Sequence, residues 1–430
     1  MKMKKLMYIF IAASMAMTSC KKDKKTETPA EEPVIVNANE ISGEKTIEGG
    51  EVQGVWKSGA KIIVKGSLVI PAGKSLTIEE GVSVMFANAA VKQEVLVYGN
   101  LYCKGTAQNQ IKFTVTDDIK PSGKSFPRLW GGILFNKSAQ ELLLLYTRIE
   151  YCGAVTTEES QSVKLGFYKA AAGEGLPAIN FVNNVNGKVV IMNCTFNNLG
   201  EDGIYLEGGN YIIARNTFYT QGETGGDAIN LKAGCVADIS YNLVYSPNTN
   251  ALKLSNSGDR SPQCKPICYN NTIVNSAWRR PTIKGGGIWL EAGVKAEIYN
   301  NLHVNCRFAV KNSGADPAVK YDYNYYYGFD QITVDQFQAG VKDVVRGAND
   351  IAGTTAGSND PLLANYPLNT STSNEVYNTS WDFHLKAGSP AIDKGTTNFT
   401  TNFGTTGITV NGVTYTSPAP SKTIGAFGTN

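Results

Sequence analysis

Histidine occurs only twice in the 430 residues, and there is no pair of Cys-x-x-Cys units, so little is available to build a structural zinc site. Charge is scarce at 18% of residues. Removing Lys2, Lys4 and Lys5, which belong to an export signal, from the 40 basic residues leaves 37, equal to the 37 acidic ones. A chain with no net charge has no basic field of the kind nucleic-acid binding needs, so nucleic acid is excluded as a partner. Beyond the first 20 residues no apolar run is long enough to span a bilayer. No regular Thr array runs through the chain, which argues against ice binding.

What the chain has instead is Gly (44), Tyr (21) and a repeated phrase. The first half of the phrase is apolar-x-apolar: Ile179-Asn180-Phe181, Ile204-Tyr205-Leu206, Ile229-Asn230-Leu231, Leu252-Lys253-Leu254, Ile288-Trp289-Leu290 and Phe308-Ala309-Val310. The second half sets Asn beside a short strand: Asn216-Thr217-Phe218, Asn242-Leu243-Val244, Asn271-Thr272-Ile273 and Asn301-Leu302-His303-Val304, with Cys194 in the Asn place of the first copy. The period is about 25 residues, and each unit is too short to bury its apolar face alone, so copies must stack. Alternation with period 2 rules out a helical solenoid. The reading is an all-β, single-stranded right-handed parallel β-helix over residues 40–315. Stacked Asn amides can bond one another at the inter-strand spacing of about 4.8 Å, and Asn tolerates tight turns, so a ladder is expected that begins one coil after Cys194.

The ends differ from the middle. Residues 1–19 read as a signal peptide, with a basic start and an apolar stretch from Leu6 to Met17. Met17-Thr18-Ser19-Cys20 resembles a bacterial lipobox, and that resemblance implies cleavage before Cys20 and lipid on it. The following residues to 39 are charged and Pro-containing and read as a flexible tether. They resemble the surface-export segments of Bacteroidetes lipoproteins, although more basic, which leaves open which face of the outer membrane the protein occupies. Membrane contact is then through the lipid anchor alone, and a monomer is expected. Cys103, Cys152, Cys194, Cys235 and Cys306 lie in strand-like runs and read as core fillers. Cys264 and Cys268 form either a small disulfide or two free thiols.

Residues 40–154 carry short strands closed by Gly, such as Ile62 to Ile70, Leu76-Thr77-Ile78 and Leu96-Val97-Tyr98. Their order resembles the N-terminal coils of bacterial right-handed parallel β-helix proteins of the pectate-lyase-like superfamily. After residue 316 come an aromatic run, Tyr321 to Tyr327, and helical spacing from Val334 to Val345. Then follow Asp360-Pro361-Leu362-Leu363, Asp382-Phe383-His384-Leu385, Ser389-Pro390-Ala391-Ile392-Asp393-Lys394-Gly395 and Ile424-Gly425-Ala426-Phe427. That series resembles the C-terminal cap of extracellular bacterial β-helix proteins, which implies that 316–430 folds back over the last coil to cover exposed edges.

Three functional readings stay open. The middle residues of the apolar-x-apolar units form one outward column: Asn180, Tyr205, Asn230, Lys253, Trp289 and Ala309. Tyr205 and Trp289 offer flat rings to sugar C–H groups; Asn180, Asn230, Lys253 and Glu207 offer polar contacts. The insertion 256–286, with Trp278, Arg279, Arg280 and Lys284, would wall one side of a glycan-binding face, and both rings are expected to be largely exposed. The second reading is a polysaccharide lyase. Its β-helix relatives imply a Lys or Arg base and Ca²⁺. Asp202 and Asp227 would stack as like charges with the cation between them, Glu201 and Asn250 completing the cage and Lys253 acting as base; Arg260, Arg279 or Arg280 could clamp substrate. No diagnostic lyase motif stands out. The third is a structural or adhesive surface module.

Overall fold

Ile179–Phe181 pairs in parallel with Ile133–Phe135 on one side and Ile204–Leu206 on the other, and that step repeats along the chain. The structure, a computed structural model, describes residues 36–429 apart from 124, 168, 183 and 184. The signal peptide, Cys20 and the tether up to residue 35 lie outside the described residues. Among the described residues three parallel sheets of eleven, twelve and ten strands run the length of the stack, each strand pairing with the one three strands later until Tyr325–Tyr327 pairs with the next strand, Ile351–Ala352. The fold is a single-stranded right-handed parallel β-helix, as the repeat predicts.

The inward positions are the apolar ones. Ile179, Ile204, Ile229, Leu252 and Ile288 stand in register and are fully buried. Phe196 and Phe218 stack one coil apart with ring centroids 4.7 Å apart and planes 7° from parallel. Each such buried side chain contributes roughly 1.5–3 kcal/mol, a gain that exists only because the neighbouring coil covers it. All seven described cysteines are free and buried, Cys264 and Cys268 among them, so the tight loop pair is two core thiols.

The Asn ladder forms and is longer than the repeat suggests. The Asn216, Asn242, Asn271 and Asn301 amides each donate to the carbonyl oxygen of the next rung, ending on Asn324, at 2.9–3.0 Å. Each amide also donates to a backbone carbonyl of the preceding coil. Cys194 enters at the foot, its backbone N–H donating to Asn216. The left-handed turn residue is not the ladder Asn but the one before it: Asn193, Arg215, Tyr241, Asn270, Asn300 and Tyr323 all have φ of 51–58°.

Both boundaries of the stack move outward. Val36 already bridges Glu51, and the Asn37 amide donates to Gly49 and Glu51, inside the stretch read as tether. At the far end Lys320–Asp322 and Tyr325–Tyr327 continue two sheets past residue 315. The C-terminal region then divides its work. The short helix Gln331–Gln336 sends Val334 and Phe337 against the core at the last coil. Residues beyond 360 run sideways: Leu363, Tyr366, Phe383 and Ile424 pack on outward Tyr219, Tyr245, Val304 and Tyr327 of the twelve-stranded sheet. The hairpin Ile408–Val410/Val413–Tyr415 packs on outward Leu143, Val190 and Ile212 of the eleven-stranded sheet. Buried Asp238 pins that segment by accepting from the Asn402 and Phe403 N–H groups and the Ser417 hydroxyl. The cap therefore covers two flanks as well as an end, and leaves the outer face of the ten-stranded sheet to the insertions.

Candidate functional site

Strand register on that third face gives one outward column: Val69, Leu96, Leu134, Asn180, Tyr205, Asn230, Lys253, Trp289 and Lys311. Ala309 is not its last member. Phe308 adopts φ of 55° in the turn, and Val310, not Phe308, takes the inward place opposite Ile288, so Lys311 stands against Trp289. The first three members are apolar, and the insertion 155–177 covers them: Phe167, Ala170 and Leu176 pack on Leu96 and Leu134. Glu94 anchors the insertion by accepting from the Ser162 hydroxyl and N–H at 2.6 and 2.8 Å.

This cover changes the environment of the column. Tyr205 is 7% exposed and Asn230 5%, and Asn180 is fully buried, so these three are not side chains of an open flat sheet. The ammonium groups of Lys169 and Lys232 lie 5.7 and 5.8 Å from the Tyr205 ring centroid. Trp289 is half-buried, and Lys253, Lys311 and Lys284 ring it at 5.2, 4.9 and 5.9 Å. Its indole N–H has no acceptor among the described residues. Lys253 and Lys311 come from the coils on either side of Trp289 and Lys284 from the insertion; each cation is attracted to the ring but the like charges repel one another, an arrangement that an incoming anion relieves.

Three residues before the column, Asp202 and Asp227 stack one coil apart. The Asp227 backbone N–H donates to Asp202 Oδ1 at 2.8 Å. The Asn230 amide nitrogen reaches both carboxyls, at 3.0 Å from Asp202 Oδ2 and 3.2 Å from Asp227 Oδ2. The Asn250 amide donates to Asp227 Oδ1 at 2.7 Å. Burial, and then the Asp202 charge, push the Asp227 carboxyl up to about 7. Burial also raises Asp202, against the Asp227 N–H, the Asn230 amide and the fields of Lys253 and Lys232. Among the described residues no group of three or more His, Cys, Asp or Glu has the arrangement to hold a metal ion. Glu201, expected in the cage, instead accepts from Arg128 at 3.0 Å.

Lys253, read as a base, lies 3.5 Å from Glu291. Burial disfavours the ammonium of its neighbour Lys232, with the Lys253 charge second, and that of Lys311 at the end of the column. Glu207 is a buried partner of Arg260 at 3.3 Å rather than an open contact. Arg279 is committed to the carbonyls of Gln221, Gly222 and Ser246 and stacks on Phe126, facing a different cavity of about 640 Å³. Arg280 bonds Thr224 and Thr249, and the Trp278 N–H donates to Asn305. These side chains hold the 256–286 insertion in place; its Lys284 is the one that reaches the column at Trp289. The residues that sequence reasoning missed, Lys169, Glu174 and Pro177, come from the other insertion. With Glu201, Asp202, Tyr205, Asp227 and Asn230 they line a cavity of about 310 Å³. Their signal in the sequence is a polar break in the rhythm at 155–177 and nothing more specific.

Searches of curated proteins and of solved structures found no match. Residues 177–324 match the family model described as "Right handed beta helix region", and these are the coils that carry both the ladder and the polar half of the column.

Proposed function

We propose that this protein is a cell-envelope lipoprotein that binds an acidic polysaccharide along the outer face of its ten-stranded sheet. The observation that carries the reading is the half-open Trp289 ring within 6 Å of three lysine ammonium groups. An aromatic face takes sugar C–H groups and the lysines take carboxylates or sulfates. The chain would run along the stack, from Trp289 toward the cavity beside Tyr205. Trp289→Ala should weaken retention on the polymer bound by the parent at least tenfold, as removal of a central aromatic anchor does, with the melting temperature little changed. Affinity electrophoresis through gels cast with charged and neutral polysaccharides measures this. Equal retardation of parent and variant would sink the assignment of Trp289.

The anchoring half of the proposal rests on the lipobox-like segment. Cys20→Ser should leave an unprocessed precursor without palmitate label, and normal labelling of that variant would remove it.

One observation favours a second reading. Lys232, held toward its neutral form close to Asp202 and Asp227, is the lysine suited to abstract a proton in β-elimination from a uronate. Release of unsaturated products, seen as new ultraviolet absorbance, would mark that chemistry.

A further inference from the structure

We propose that Asp202 and Asp227 form the nucleophile and acid of a glycosidic-bond hydrolase, working in the cavity beneath the 155–177 insertion. The proposal rests on the glycan-binding reading, because the substrate is the polymer that the same face holds.

The geometry begins with one amide. Asn230 Nδ2 lies within 3.2 Å of an oxygen of each carboxyl, so the two groups are held side by side. Those two oxygens can be no more than about 6.2 Å apart, which admits the spacing of about 5–5.5 Å at which a carboxylate attacks the anomeric carbon directly. The wider spacing of about 6.5 Å or more, which leaves room for a water in inverting enzymes, is not available.

The environments separate the two roles. Asp202 keeps some exposure and accepts a backbone N–H; burial raises its carboxyl, and that bond, the Asn230 amide and the fields of Lys253 and Lys232 oppose the rise, as those fields also do at Asp227. Asp227 is deeper, at 6% exposed, and its bonds come from the neutral amides of Asn230 and Asn250. Its proton is retained near neutrality by burial and by the adjacent charge.

A second feature of the site points to a ligand. Asn230 is 5% exposed and lines the cavity, yet its carbonyl oxygen accepts no hydrogen bond among the described residues. Buried acceptors of this kind cost free energy until a donor arrives, and a sugar ring brings several hydroxyls. The cavity of about 310 Å³ is within the range of small-ligand sites, and Tyr205 lies in its lining.

The chemistry balances without a cofactor. Asp227 gives its proton to the glycosidic oxygen as the Asp202 carboxylate bonds to the anomeric carbon; the C–O bond breaks and the new chain end leaves as an alcohol. Asp227, now a carboxylate, takes a proton from water, whose oxygen attacks the anomeric carbon and displaces Asp202. Asp202 returns ionised and Asp227 protonated. The net change is one water added across one glycosidic bond, with the anomeric configuration retained.

The test incubates the full chain with the same panel of polysaccharides used for binding, and reads reducing ends, ultraviolet absorbance and retention together. The expected result is new reducing ends from a retained polymer, no unsaturated product, and retention of configuration by NMR. Asp202→Asn and Asp227→Asn should each lower this release by 10²-fold or more while the polymer is still retained. The variants should differ on an aryl glycoside of the same sugar with a good leaving group: that bond needs no proton, so the glycosyl–enzyme forms in Asp227→Asn and is trapped as a glycosyl azide by added azide, whereas Asp202→Asn is inactive on both. A merely structural role for Asp227 would not produce azide rescue. Retention without reducing ends overturns the hydrolase and leaves binding standing. Unsaturated product, or release unchanged in both variants, overturns it too. Neither retention nor release overturns both readings.

Discussion

Asn271→Ala should lower the unfolding free energy by about 3–6 kcal/mol, more than any surface change in this protein. Asn271 is 1% exposed and is a middle rung. Its amide donates to Asn301 Oδ1 at 2.9 Å and to the Ile239 carbonyl at 3.0 Å. Its carbonyl accepts from the Asn242 amide and the Asn242 backbone N–H. Truncation therefore orphans groups on both neighbouring coils, and each buried unsatisfied group costs about 1–3 kcal/mol, with no water to replace the partner. Urea unfolding followed by far-ultraviolet dichroism reads the change. A loss below about 1 kcal/mol would mean the ladder is incidental to the stack.

His303→Phe should make the protein more resistant to acid. His303 is 1% exposed, stacks on Tyr326 with centroids 5.1 Å apart, and neither ring nitrogen has a hydrogen-bond partner among the described residues. Burial, and then the Arg346 charge, lower its folded value to about 3 from the usual 6.5. Because the folded value is depressed, stability is complete above pH 6.5 and is lost as pH falls, since the unfolded chain binds a proton that the folded one refuses. The slope approaches 1.4 kcal/mol per pH unit, so at pH 4.5 the cost is about 2–3 kcal/mol. Phenylalanine keeps the stacking and has nothing to protonate. The larger ring pressing on the Gly287 backbone is expected to cost up to about 1 kcal/mol at pH 8. The variant should therefore gain on the parent between pH 8 and pH 4.5, as measured by unfolding midpoints at the two pH values. Parallel pH profiles would show that His303 is not held neutral.

The stack was legible in the chain because its signals are local and repeated. Period-2 alternation placed Ile204, Ile229 and Leu252 inward, and Asn at matched phase placed the ladder and its start above Cys194. The slip at the sixth unit has a clear cause. Phe308-Ala309-Val310 and Val310-Lys311-Asn312 both present a large apolar residue at the inward step, and a shift of two residues keeps every side chain on the same face. What decides between them is the left-handed turn at Phe308, which no pattern announces. The αL positions before each ladder Asn were missed for the same reason, since Arg215 and Tyr241 are not turn residues by type. The site was legible in part. The column from Asn180 to Trp289 and the stacked Asp202 and Asp227 follow from phase alone. Their burial does not, because it depends on where the 155–177 insertion lands, about 50 residues before Asp227. Nor did the sequence say that residues beyond 360 would pack on two flanks and leave the third face free, a long-range choice set by Tyr219, Tyr245, Leu143 and Val190 standing outward.

The central claim is that the face bearing Trp289 meets an acidic polymer, and lysine acetylation read by mass spectrometry tests it most directly. With the charged polymer that retards the protein present, Lys253 and Lys284 around Trp289 and Lys169 beside Tyr205 should be protected together. Lys61 and Lys112, which are exposed on the twelve-stranded sheet, should react at unchanged rates. Protection of Lys61 and Lys112 with Lys253 and Lys284 unaffected would contradict the account.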